Sequence, residues 1–166
     1  LKDLPAKVRQ VIVLPNKSYS EELTKEFEAL SDAVEETSFE EVSFERMSKV
    51  RHEMALAKVN DIVDHLADLK HQVVVMAHHK DVVEGIKEGL EAAGKKIVTL
   101  TGDCNQAHRQ DAVDTFQDGK ADVFIGTIGA AGVGITLTKS SHVVFAELDW
   151  VPGNMSQAED RCHRIG

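Results

Sequence analysis

An α/β fold with a mainly parallel sheet, covered by helices on both faces and preceded by an N-terminal strand and helical segment, is the architecture this sequence predicts. Three observations lead to it. From Gln72 onward, short apolar runs rich in β-branched residues alternate with amphipathic helical stretches, the order that builds parallel strands joined by crossover helices. Those runs are apolar throughout rather than alternating, as strands buried on both faces are. Finally, 166 residues with 42% hydrophobic content suffice to enclose one sizeable core.

Taken in order, residues 9–14 (R-Q-V-I-V-L) form an apolar run closed by Pro15-Asn16 and predict a strand. Ser18 with Glu21 three positions on reads as a capping box. The helix that follows carries Leu23, Phe27, Leu30 and Val34 as a core-facing stripe. A second helical block over residues 43–69 buries Met47, Val50, Met54, Val59, Ile62, Val63, Leu66 and Leu69, and its length predicts two helices or one bent one. Residues 1–71 are thus the strand and helical part, and 72–166 the sheet-bearing lobe. Within the latter, strands are predicted at 73–77, 97–100, 121–127 and 142–148. Helices lie between them, at 81–93 with Gly94 as C-cap and at 106–116 with Ala112, Val113 and Phe116 inward and Gly119 after it.

Composition narrows the functional classes. The formal charge of −9 opposes a sequence-blind basic nucleic-acid binder. Much of that imbalance sits between Glu21 and Glu45, however, where ten acidic residues face the single base Lys25; such a stretch can point away from a polyanion. No apolar run approaches the roughly 18 residues that cross a bilayer, and no secretory h-region is visible. Two cysteines are too few for a disulfide framework. The expectation is an intracellular protein, cytoplasmic if bacterial or phage and nuclear if eukaryotic.

In a parallel sheet, functional loops collect at the carboxyl ends of the strands. Here those ends deliver His78, His79 and Lys80; then Thr101, Gly102 and Asp103; then Thr127 followed by G-A-A-G-V-G-I-T-L-T; and finally Glu147, Asp149 and Trp150. In the third loop Gly129, Gly132 and Gly134 would let backbone N–H groups approach phosphate oxygens, or simply make a tight turn. It is neither a P-loop, since Lys139 follows Thr138 rather than glycine, nor a dinucleotide fingerprint, since Leu137 stands where the third glycine belongs. Cys104 with His108, and Cys162 with His163, supply no four-ligand zinc set, so no metal site is expected, and Cys162 falls on a packed helix side. The tail from Asp149 to Gly166 places Gln157, Arg161 and Arg164 within about 60° of one another on a helix, with Met155, Ala158, Cys162 and Ile165 opposite. Two guanidinium forks on one face suit a multiply charged phosphate.

The series T-I-G-A-A-G-V-G-I-T-L-T, H-V-V-F-A-E-L-D-W-V-P and Q-A-E-D-R-C-H-R-I-G resembles motifs V and VI of the SWI/SNF-type superfamily 2 helicase-like ATPases. Upstream, V-V-V-M-A-H-H resembles motif IV, and V-T-L-T-G-D with Arg109 and Phe116 resembles the segment between IV and V. Leu4-Pro5 with the run after it is similar to the lead into the second lobe of that family. The A-H-H and A-A-G-V-G pieces are nearest its annealing-helicase-like and bacterial branch. The resemblance implies a RecA-like three-layer fold and the second lobe of a DNA-dependent ATPase motor, a double-stranded DNA translocase. ATP with Mg²⁺ would be held mainly by a first lobe that this chain does not contain.

By matching positions, the resemblance implies that Arg161 and Arg164 are arginine fingers and that Gln157, Gly132 and Gly134 bind ATP. It further implies that Lys80, Thr101, Gly102, Thr127 and Trp150 contact double-stranded or branched DNA. The partners would be that DNA and the N-terminal lobe of the same protein, with no membrane. Ala131, Glu147 and Val151 stand where many relatives carry glycine, aspartate and asparagine, which bears on the nucleosome-remodelling branch more than on the ATPase assignment. The sequence stops where the family usually continues, which reads as a fragment; lacking the parts that hold Mg²⁺·ATP, the isolated fragment is expected to be inactive. Two other classes remain open, a non-catalytic RecA-like protein- or DNA-binding module and a doubly wound small-molecule enzyme.

Overall fold

The computed structural model describes residues 4–14, 19–36, 44–132 and 134–163. The helix α1 spans Glu21–Glu36, α2 Phe44–Ala57 and α3 Val59–Ala67. The lobe then runs β1 (Val73–Ala77), α4 (Lys80–Ala92), β2 (Ile97–Leu100), α5 (Gln106–Gln117), β3 (Val123–Thr127), α6 (Ile128–Ala131), β4 (Val143–Phe145) and α7 (Pro152–Glu159). The sheet is parallel throughout, in the order β2-β3-β1-β4. Strands β1 and β3 pair from Val73↔Val123 to Ala77↔Thr127.

Alternation along the central strands divides the interior in two. Val74, Met76 and Phe124 point to the face covered by α5, α6 and α7, where they meet Ala112, Phe116, Ile128, Ala131 and Ala158. Val73, Val75, Ala77, Val123 and Ile125 point the other way, to Ile62 and Leu66 of α3 and to Val82, Val83, Ile86 and Leu90 of α4. The result is the three-layer arrangement expected from strands that are apolar on both sides. The family of helices α1 and α2 closes a separate small core of Leu23, Leu30, Met47 and Val50.

Several expectations are adjusted. Residues 5–14 carry no strand: among the described residues no neighbouring strand offers them a ladder, and Val8, Val11 and Val13 are almost fully exposed. Ser18 lies outside the described residues; the helix instead begins one step after Ser20, whose Oγ accepts the Leu23 N–H at 3.1 Å. Phe27 is half exposed rather than core. The block at 43–69 divides at Lys58 into α2 and α3. Strand β3 begins at Val123, two residues later than predicted, and β4 pairs with β1 only over Val143–Phe145 of the predicted 142–148.

Candidate functional site

The glycine loop is positioned by the strand beneath it. Gly126 of β3 has no room for a side chain: a Cβ there would sit 3.1 Å from the Ala131 Cβ, 3.2 Å from the Phe124 ring and 3.4 Å from the Leu100 carbonyl. The single turn α6 therefore folds straight back over β3, with Ile128, Ala130 and Ala131 buried. Thr127, itself buried, stands at its N-cap position. Gly132 ends the turn, and Gly134 takes φ +67°, a conformation that L side chains rarely adopt.

Two arginines hold this loop by its carbonyls. Arg109 of α5 donates from Nη1 to the Ala130 oxygen at 2.8 Å. Arg161 donates from Nη2 to the Gly132 oxygen at 2.7 Å, and its own carbonyl accepts the Leu137 N–H at 2.8 Å. The arginine thus grips the loop on both sides of Gly134. Cationic groups at the carbonyl end of α6 are favourably placed against its exposed C=O dipoles. Burial leaves the Arg161 Nε without a hydrogen-bond partner among the described residues, the kind of orphan donor that calls for an explanation.

The geometry that aims Arg161 is not the long helix expected. Helix α7 stops at Glu159, and the chain tightens through Arg161 N–H to Ala158 O at 3.2 Å and Cys162 N–H to Glu159 O at 3.1 Å, the i→i+3 pattern of a closing turn. Ala158 and Cys162 are buried as expected, and burial pushes the Cys162 thiol up to about 12. Gln157 is exposed on α7, with no hydrogen bond among the described residues linking it to the glycine loop. Arg164 and Ile165 lie outside the described residues.

At the other side of the sheet's carboxyl edge, Lys80 opens α4 and pairs with Asp103 of the loop after β2. Thr101 and Gly102 belong to that same loop. The Thr101 N–H points at the Cys104 sulfur at 3.4 Å, and Gly102 faces open space. Glu147, just after β4, is buried and ties the β1–α4 turn together. Its Oε2 accepts the His78 and His79 backbone N–H groups at 2.7 and 2.8 Å, and its Oε1 lies 2.7 Å from His79 Nδ1. The His52 ring stacks on His79 at 3.8 Å.

Trp150 leans on α2 rather than standing free. The Arg51 guanidinium lies 3.8 Å over its ring and donates to the Leu148 carbonyl at 2.7 Å, while the Phe44 ring centre is 5.0 Å away. A cleft of about 360 Å³ opens here, lined in part by Arg51, Lys58, His78, His79, Glu147 and Trp150. Burial lowers the Lys58 ammonium pKa, and the Glu147 carboxylate pulls it back up.

Among the sequence-predicted residues, the structure brings Arg161, Gly132 and Gly134 together at one loop, and Lys80 into contact with the β2 loop that carries Thr101 and Gly102. Arg51 was not singled out by the sequence, and Arg109 and Glu147 were named there without a binding role. For the two arginines a signal was present: Arg109 falls on the inward stripe of Ala112, Val113 and Phe116, and Arg51 on that of Met47, Val50 and Met54. A charge on an apolar face asks for a partner. Among the described residues, no group of three or more His, Cys, Asp or Glu side chains is arranged to hold a metal ion, and no helix is long and apolar enough to cross a membrane.

A fully parallel three-layer lobe with a glycine loop and an arginine-bearing turn at one edge is RecA-like, and solved structures agree. The C-terminal part of the Fun30 ATPase domain superposes with TM-score 0.58 at 24% identity, over 68% of this chain and 36% of that one. The C-terminal domain of the DEAD-box protein Dbp5 gives 0.58 at 22%, over 66% and 65%. Residues 56–166 match the helicase conserved C-terminal domain, and the chain belongs to that family, as a C-terminal lobe of the SWI/SNF-type superfamily 2 helicase-like ATPases. It is 35% identical over its whole length to the SWI/SNF-related matrix-associated actin-dependent regulator of chromatin subfamily A-like protein 1 of Xenopus laevis. It is likewise 35% identical to the DNA annealing helicase and endonuclease ZRANB3 of Mus musculus. The chain spans 18% of the first relative's length and 16% of the second's.

Proposed function

We propose that this lobe is the second half of a DNA-dependent ATPase and double-stranded DNA translocase, in which Arg161 and Arg164 reach ATP held by a companion first lobe. The observation that carries the reading is the grip of Arg161 on the glycine loop. A turn after α7 and a loop 29 positions earlier meet through one guanidinium, and that guanidinium keeps a buried Nε without a partner among the described residues. A guanidinium that exchanges the Gly132 carbonyl for a phosphate chain would bring its N–H donors to it, and a developing charge on the transferring phosphoryl would draw on them. Bound ATP supplies the phosphoryl group, and the Mg²⁺ that accompanies it is assigned to the first lobe. Gly132 and Gly134 keep the loop open to that phosphate chain, and Gln157, exposed on α7, is the remaining group assigned to it.

Lys80, Thr101 and Gly102 support a DNA track along the strand ends, since they lie on two adjoining loops where backbone phosphates are read without sequence information. Lys80 would exchange Asp103 for a phosphate. Thr127, buried under α6, would touch DNA only through its backbone. Trp150 would have to shed Arg51 or Phe44 to lie against DNA; its contacts favour a structural role, holding the β4–α7 turn on α2. A motor of this kind works inside the cell, in the nucleus of a eukaryote.

The test is Arg161→Ala in the complete protein. DNA-stimulated ATP hydrolysis should fall by roughly 10³-fold or more, with ATP binding retained. Wild-type turnover in that variant would reject the assignment, and so would ATP hydrolysis by this chain alone.

A further inference from the structure

Residues 5–14 have no strand pairing, and apart from Leu14, which packs against the core on the α3–α4 side, their apolar side chains face outward. What fixes their start is polar. Arg9 donates from Nε to Glu159 Oε1 at 2.9 Å and from Nη2 to Glu159 Oε2 at 2.8 Å, a fork on both carboxylate oxygens. Lys7 pairs with Asp160 and lies 3.5 Å from Glu159 Oε2. The His163 Nε2 donates to the Pro5 carbonyl at 2.7 Å. Three residues of the lead-in segment, Pro5, Lys7 and Arg9, are thus joined to Glu159, Asp160 and His163, which flank Arg161 on both sides.

Charge explains why the contact forms. Glu159 ends α7 and Asp160 caps it, so two carboxylates sit at the negative pole of a helix whose last turn has no basic residue of its own. Lys7 and Arg9 supply the missing positive charge from outside. The Glu159 side chain is 15% exposed and the Arg9 side chain 68%, so what sets the pair apart from an ordinary surface ion pair is its two-pronged geometry on a carboxylate held against the fold.

We propose that Lys7 and Arg9 are positioning residues: they latch the lead-in segment to the α7 turn and thereby hold Arg161 against the glycine loop. The catalytic consequence rests on the role given to Arg161 above. The latch makes the turn sensitive to the chain that precedes the lobe. Tension along residues 5–9 is transmitted through the Glu159 fork to the peptide two residues before Arg161, and release of the fork frees the turn.

The experiment compares Arg9→Glu with the exchanged pair Arg9→Glu/Glu159→Arg in the complete protein. The single reversal should lower kcat for DNA-stimulated ATP hydrolysis about three- to tenfold while KM for ATP stays within about twofold, and the exchange should restore most of the loss. Arg9→Gln removes the fork without adding repulsion and covers any folding defect of the reversal. In the complete protein too, Cys162 reports on the turn: its modification by a thiol reagent, resolved from the other cysteines by mass spectrometry, should quicken in Arg9→Glu and slow again in the exchange. Unchanged kcat in both Arg9 variants, or an exchange as impaired as the reversal, overturns the latch. If Arg161→Ala is inactive but the Arg9 variants match wild type, the latch alone falls. If Arg161→Ala turns over normally, the finger assignment falls, and Cys162 labelling decides whether the latch exists.

Discussion

Replacing Glu147 with alanine tests how the carboxyl edge of the sheet is built. The carboxylate is buried and accepts from two backbone N–H groups and one imidazole, at 2.7, 2.8 and 2.7 Å. It also supplies the charge that offsets the half-buried Lys58 ammonium. A buried donor left without a partner costs about 1–3 kcal/mol. Three are exposed by the substitution, but the adjoining cleft of about 360 Å³ admits water that takes up part of the loss. The net destabilisation is therefore about 2–4 kcal/mol, which for a chain of this length lowers Tm by about 6–12 °C. Glu147→Gln, which keeps one acceptor oxygen but turns an NH₂ toward the same donors, should fall between alanine and wild type. Thermal and urea denaturation of the chain, followed by circular dichroism, reads all three proteins. An alanine variant within about 0.5 kcal/mol of wild type would show that the β1–α4 turn does not depend on this carboxylate, and that the hydrogen bonds around it are incidental.

Gly126→Val should cost more than an ordinary strand substitution, about 2–4 kcal/mol, because the added branches meet Ala131, Phe124 and the Leu100 carbonyl; a variant of wild-type stability would mean that α6 does not rest on β3 as described. Cys162 carries a pH dependence whose sign is fixed by burial. Its folded pKa, about 12, lies above the ordinary thiol value near 9, so the unfolded chain loses the proton first. The thiol's contribution to stability is therefore complete below pH 9 and declines as pH rises toward 12. The stability difference between wild type and Cys162→Ala should shrink over that window, and a difference independent of pH would contradict the buried thiol.

Much of the fold was legible from period and composition. Runs such as V-V-V-M-A, apolar at every position, can only be satisfied by cover on both faces, and β1 is buried along its whole length. The stripes of α4 and α5 were read correctly for the same reason, since a 3.6-residue period is a local property of the chain. The glycine loop and the arginines of the tail were also visible, as residue types suited to phosphate. Where local reading failed, the deciding partner was absent from the local sequence. The run at residues 9–14 has the composition of a strand, but a strand exists only when a neighbouring ladder accepts it, and none does here among the described residues. The tail was expected to aim its arginine by helical phase; a closing turn after Glu159 aims Arg161 instead.

What the sequence determined by itself, then, is the layered parallel architecture and the chemical inventory at the strand ends, because burial pattern and side-chain type are written residue by residue. Only the tertiary structure decided which groups meet. Arg109 and Arg161 converge on α6, Glu147 fastens the turn after β1, and Lys7 and Arg9 cross some 150 positions to reach Glu159 and Asp160. Such long-range pairings depend on where the crossovers return the chain, and no periodicity in the sequence encodes that distance.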